Sequence, residues 1–141
     1  MKDDPVIRLF LQTAQAIEER LEAALVGVDL SVAKYSALKQ LAAADEPLSL
    51  SDMAARLVCV RSNVSQLVDR LEADGLVRRV EDPKDRRCVR AALTDLGRER
   101  QAAGAQRLES VRGEIVEVLS EVDRGALERA LERLQPRSAN G

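Results

Sequence analysis

From Pro5 to about Val26 the residues Val6, Leu9, Phe10, Thr13, Ala14, Ile17, Leu21 and Leu25 recur at spacings of three and four. That is the period of an amphipathic helix, with Pro5 suited to its first turn and Gly27 marking its stop. A second helix is predicted from Ser31, a suitable N-cap, through Tyr35, Leu38 and Leu41 to Ala44, where Asp45-Glu46-Pro47 breaks it. Leu48-Ser49-Leu50 reads as a short extended stretch leading to Ser51, which is expected to cap a third short helix carrying Met53, Ala54 and Leu57. A break over residues 58–60 precedes a fourth helix. Its apolar face is Val64, Leu67, Val68 and Leu71, and it ends at Asp74-Gly75, where glycine suits a left-handed C-terminal cap.

After Gly75 the periodicity changes. Residues 76–80 and 88–93 are β-type runs around Glu81-Asp82-Pro83-Lys84-Asp85-Arg86-Arg87, turn chemistry dense in charge. In the second run Val89, Ala91 and Leu93 are expected to face inward, leaving Cys88, Arg90 and Ala92 on the other face. Helical period then returns through Leu96, Ala103, Leu108, Val111, Ile115, Val118, Leu119 and Val122. A last helix from Asp123 carries Ala126, Leu127, Ala130, Leu131 and Leu134 before Pro136. Two short helices three or four residues apart, the second opening on small polar side chains, form a helix-turn-helix signal. With the hairpin, the span 51–94 reads as a winged helix-turn-helix. The expected fold is therefore mainly α with a small β-wing and with N- and C-terminal dimerisation helices. It divides into a dimerisation helix over 1–30, a DNA-binding region over 31–95 and dimerisation helices over 96–141. The outer helices carry more apolar face than a small three-helix domain covers, which points to a second copy of the chain.

Composition narrows the chemistry. The chain has 141 residues, 1% of them aromatic, and no histidine. Absence of histidine removes the commonest general base and metal ligand. No Gly-x-Ser-x-Gly occurs and seven scattered glycines form no phosphate-cradling loop, so no catalytic residue, metal or cofactor is expected. With Phe10 and Tyr35 alone, there is no stacking platform for single strands. Two cysteines, Cys59 and Cys88, make no disulfide scaffold, and MKDDPVIRLF has aspartates where a signal peptide needs positive charge. With no transmembrane run either, a cytoplasmic chain without membrane attachment is the expectation.

The net charge of −2 hides a division. From Arg56 to Arg90 there are nine basic and six acidic residues, a balance of +3 that leaves −5 on the rest. If the apolar face of the fourth helix is inward, then Ser62, Asn63, Ser65, Gln66, Asp69 and Arg70 lie outside or on the flanks. Asn and Gln pair with adenine edges at two points, and Ser reaches bases or phosphates. Arg70 is placed to contact phosphate, to read a base, or to pair with Asp69 or Glu72. A merely solvated polar face is the plain alternative.

The run NVSQLVDRLEADGLVRR (63–79) followed by DPKDRRCVRAALTDLG (82–97) resembles the MarR family of dimeric bacterial transcriptional regulators, and the resemblance covers nearly the whole chain. It implies a sequence-specific double-stranded DNA-binding regulator, a repressor by the family's commoner habit, that binds a pseudo-palindromic operator as a homodimer. It assigns DNA contact to Arg61, Ser62, Asn63, Ser65, Gln66 and Arg70 and, in the wing, to Lys84, Asp85, Arg86 and Arg87. Arg87 would enter the minor groove, whose narrow stretches concentrate negative potential. Asp85 would orient its guanidinium, while Lys84 and Arg86 contact phosphate. It also implies a small anionic aromatic effector between the dimerisation helices and the reading head, with Tyr35 and Arg8 as polar elements. The sequence departs from the family at VCVRS (58–62), where Val58 resists a left-handed conformation and Val60 cannot cap, so either the turn is wider or Ser62 is the cap. Cys59 reads as a buried small residue. Cys88, among Arg86, Arg87 and Arg90, sits where cations favour thiolate and is the candidate for redox sensing. The rival reading is a winged-helix dimer that docks proteins, which salt separates from duplex binding.

Overall fold

The computed structural model describes residues 2–57 and 63–136, and in it the helix starts follow small polar residues. Asp4, Ser31, Ser49, Asn63 and Asp123 each accept a backbone N–H with the side chain, satisfying donors that a first helical turn leaves without an internal partner. They open α1 (Pro5–Val26), α2 (Val32–Ala43), α3 (Leu50–Arg56), α4 (Val64–Ala73) and α6 (Arg124–Leu134). Between these lie β1 (Leu48–Ser49), β2 (Val77–Glu81), β3 (Val89–Leu93) and α5 (Asp95–Leu119). Two caps differ from expectation. Ser49, not Ser51, opens α3: it keeps extended backbone and its hydroxyl takes the Asp52 N–H at 3.1 Å, so Ser51 is already helical. Asn63 caps α4, its Oδ1 accepting from the Ser65 N–H at 3.0 Å. Ser62, the expected alternative, lies outside the described residues, as do Val58, Cys59, Val60 and Arg61.

The three strands form one antiparallel sheet in the order β1-β3-β2. Its register sets Leu48 opposite Ala91, and Val77, Arg79 and Glu81 opposite Leu93, Ala91 and Val89. Because side chains alternate along a strand, Leu48, Val77, Ala91 and Leu93 share one face and are all buried against the helices. They close over Leu25, Leu38, Met53, Val68, Leu71 and Leu76, a single apolar core. Val89 departs from the expected inward set. Opposite Glu81, at the far end of the hairpin, it is beyond the core and 36% exposed.

The end of α4 is built around a left-handed glycine. Gly75 has φ 77°, its N–H reaches the Glu72 carbonyl at 3.0 Å, and the Leu76 N–H reaches the Leu71 carbonyl at 2.9 Å. This is a Schellman closure, which turns the chain directly into β2. Thr94 joins the other end of the hairpin to the same point: its hydroxyl donates to the Gly75 carbonyl at 2.6 Å and accepts the Gly97 N–H at 3.0 Å. A Cβ on Gly97 would lie 2.0 Å from the Leu76 carbonyl oxygen. Only glycine lets the first turn of α5 approach so closely.

The chain divides into two units, Met1–Leu108 and Glu109–Gly141. In the first, α1 buries only Leu25, while Val6, Ile7, Leu9, Leu11 and Val26 are 58–69% exposed. The first half of α5 lies against α2, where a Cβ on Gly104 would meet Tyr35 at 2.8 Å. Arg100 adds a hydrogen bond to the Val28 carbonyl at 3.2 Å. In the second unit α6 buries no residue. Leu119, Leu127 and Leu131 line a groove edged by Arg124, Glu128, Glu132 and Gln135. Among the described residues, no helix is long and apolar enough to cross a membrane.

Candidate nucleic-acid interface

Helix α4 has two faces. Leu67, Val68 and Leu71 are buried, while Asn63, Ser65, Gln66, Asp69 and Arg70, off that face, are exposed. The apolar spacing thus seats the helix and orients its polar side in one step. The polar residues are not equivalent. Asn63 uses Oδ1 as the helix cap, leaving its amino group as a donor; two-point recognition of adenine through Asn63 would require breaking the cap. Gln66, one turn further on, has both halves of its amide free among the described residues.

The acidic groups of α4 are all held by cations from outside the helix. Arg79, on β2, pairs with Asp69 and with Glu72, the latter at 3.0 Å, and its backbone N–H donates to Glu72 at 3.2 Å. Its guanidinium is held above its ordinary pKa, chiefly by the hydrogen bond to Asp69. Lys34, on α2, pairs with Asp74 at 2.7 Å. Neither expected partner therefore takes Arg70, and helix geometry explains why: residues one or two apart do not face each other. Arg70 is exposed and has no ion pair among the described residues.

The tip of the hairpin is ordered by its own carboxylates. Asp82 Oδ1 accepts the Lys84 N–H at 2.9 Å and Asp85 Oδ1 accepts the Arg87 N–H at 3.0 Å. Asp82 Oδ2 receives the Arg90 Nε–H at 3.1 Å, and Arg90 also donates to the Pro47 carbonyl at 3.0 Å. The Lys84 N–H first, then Arg90, hold the Asp82 carboxyl below its ordinary value; Asp82 in turn raises Arg90. Asp85 thus contacts the backbone of Arg87 where its guanidinium was expected. Lys84, Arg86 and Arg87 project exposed and without ion pairs among the described residues. Cys88 is half-buried and free at the strand's start.

Of the expected contact residues, Asn63, Ser65, Gln66 and Arg70 share α4, and Lys84, Asp85, Arg86 and Arg87 share the hairpin tip; Arg61 and Ser62 lie outside the described residues. Sequence reasoning missed Arg79, Lys34 and Arg90, the cations that hold this scaffold. Two carboxylates three apart, Asp69 and Glu72, did signal a need for one cation on that flank. Tyr35 and Arg8 do not come together within one chain. Arg8 pairs with Asp3 at 2.8 Å on the exposed first turns of α1, about 26 Å along the helix from Leu25, whereas Tyr35 packs near the other end. Among the described residues, no group of three or more His, Cys, Asp or Glu is placed to hold a metal ion.

Comparison with known proteins places this arrangement. A family model described as MarR family matches residues 28–87. YkoM of Bacillus subtilis (strain 168), an uncharacterized HTH-type transcriptional regulator, is 45% identical over 53 residues, 38% of this chain; the match spans 34% of YkoM's own length. The crystal structure of AbsC, a MarR family transcriptional regulator from Streptomyces coelicolor, superposes with a TM-score of 0.82 at 28% identity, covering 92% of this chain and 88% of AbsC. CouR from Rhodococcus jostii RHA1, solved bound to p-coumaroyl-CoA, gives 0.75 at 28% identity, covering 94% and 90%.

Proposed function

We propose that the chain is a member of the MarR family of transcriptional regulators, whose family model matches residues 28–87, and that it is a homodimeric repressor of a pseudo-palindromic duplex operator. Helix α4 of each protomer enters one of two major grooves about one helical turn apart, and each hairpin reaches a flanking minor groove. The observation that carries this reading is the pairing of an exposed polar face on α4, where the Ser65, Gln66 and Arg70 side chains are unengaged among the described residues, with three exposed cations on the adjoining hairpin. Ser65 and Gln66 meet base edges, Asn63 contributes its amino group, and Arg70 takes phosphate, with Arg61 and Ser62 completing the set. Arg87 enters the minor groove, flanked by phosphate contacts from Lys84 and Arg86, and Asp85 shapes the turn that presents it.

The second copy covers the exposed apolar faces of α1 and α6, so that residues 1–30 and 96–141 act in dimerisation and 31–95 in DNA binding. A small anionic aromatic effector belongs to the same reading, supported by the acyl-CoA thioester bound to CouR. Selection of duplexes from a random pool by the full chain, repeated with aromatic carboxylates present, tests it. A two-fold symmetric consensus is expected. Recovery of no preferred duplex at low salt overturns it.

A further inference from the structure

We propose that Arg79 is a positioning residue for duplex binding that offsets part of the negative charge of α4; this rests on the DNA-binding reading above. Three carboxylates stand on or at the end of α4, and each is held by a cation from another element: Asp69 and Glu72 by Arg79, Asp74 by Lys34. The only cation of the helix itself, Arg70, is left unpaired among the described residues. A helix with three acidic groups and one basic group is a poor ligand for a polyanion. The same helix with Arg79 and Lys34 set against those acids, two positive charges against three negative, comes to balance once Arg70 is counted.

Stability is a small part of the arrangement, since Arg79, at 32% exposure, is the one partly covered partner. The Asp69 side chain is 61% exposed and that of Glu72 42%, and exposed ion pairs add little to folding. A phosphate backbone brought within a few ångströms of two unmatched carboxylates feels a repulsion that salt only partly screens. Arg79 is also fixed at both ends. Glu72 takes its guanidinium and its backbone N–H together, so the cation cannot swing away from the helix toward the DNA while that contact holds. It acts through Asp69 and Glu72, with no DNA contact of its own.

The experiment compares full-length variants on a duplex that the wild-type chain has recovered from a random pool. Arg79→Gln is expected to weaken binding about tenfold at about 50 mM salt, with the gap narrowing as salt rises. Adding Asp69→Asn and Glu72→Gln to Arg79→Gln is expected to restore affinity to within about threefold, since nothing is left to cancel. Thermal midpoints should stay close across the set. Unchanged binding by Arg79→Gln overturns the proposal, as does a triple variant that stays weak. In particular, failure of rescue with a salt slope lowered by about one per half-site would assign Arg79 a phosphate contact instead. Should Arg79→Gln not fold, Asp69→Asn with Glu72→Gln on the wild-type Arg79 decides: binding at least as tight as wild type is expected, and weaker binding overturns the role. A wild-type chain that recovers no duplex defeats the DNA reading itself, an outcome distinct from all of these.

Discussion

Arg87 and Gln66 divide the expected reading between two grooves, and their variants should differ in kind. Arg87→Ala is expected to cost about 1–3 kcal/mol per half-site and to flatten preference at flanking A/T positions, whereas Gln66→Ala should relax preference inside the half-site; binding to a panel of substituted duplexes separates the two. Asp82 gives a pH prediction. Its folded-state pKa is depressed, so its stabilising contribution is present above the ordinary carboxylate value and is lost as pH falls through the lower, folded value. Protection of the Lys84 amide, measured as its exchange rate relative to an unstructured amide at the same pH, should therefore fall in acid, and Asp82→Asn, which keeps an acceptor for that amide but no charge for Arg90, should abolish the dependence. At this scale the sequence was legible where burial decides and less so where hydrogen bonds do. The exposed row on α4 follows from the apolar spacing alone. That Asn63 caps the helix, or that Asp85 takes the Arg87 backbone N–H, depends on turn geometry no periodicity encodes.

Among the elements, the junction of α4, the hairpin and α5 is where a single methyl group matters most. Gly75→Ala forces a side chain into left-handed backbone and should cost about 1–2 kcal/mol. Gly97→Ala drives a Cβ into a backbone carbonyl that cannot step aside, and should cost about 3 kcal/mol; urea midpoints of the two variants give the ranking. The helices and hairpin were legible because caps, glycines and apolar period agree with one another: Pro5, Gly27, Ser31 and Gly75 all mark the boundaries observed. Ser49 was not, since two serines two residues apart offer equal caps until strand pairing of Leu48 with Ala91 holds Ser49 extended. Val89 was misplaced because alternation reports which face a residue shares, not how far along the hairpin the core extends.

At the level of the whole molecule, the proposed dimer and the charge division make linked predictions. Leu11→Glu or Leu131→Glu should yield monomers by sedimentation and lower duplex affinity together, because two half-sites must be held at once. Wild-type affinity should fall about a thousandfold or more between about 50 and 200 mM salt if six or more phosphates are contacted. Neither the total charge of −2 nor the apolar fraction announces this behaviour; the order of charges along the chain does. The contact between Tyr35 and Gly104 has an optical corollary. With one tyrosine and no tryptophan in the chain, near-ultraviolet emission comes from a single ring seated where α2 meets α5. The protein therefore carries a native, label-free reporter at that contact. Any effector that parts the two helices should change its lifetime and anisotropy without an engineered fluorophore.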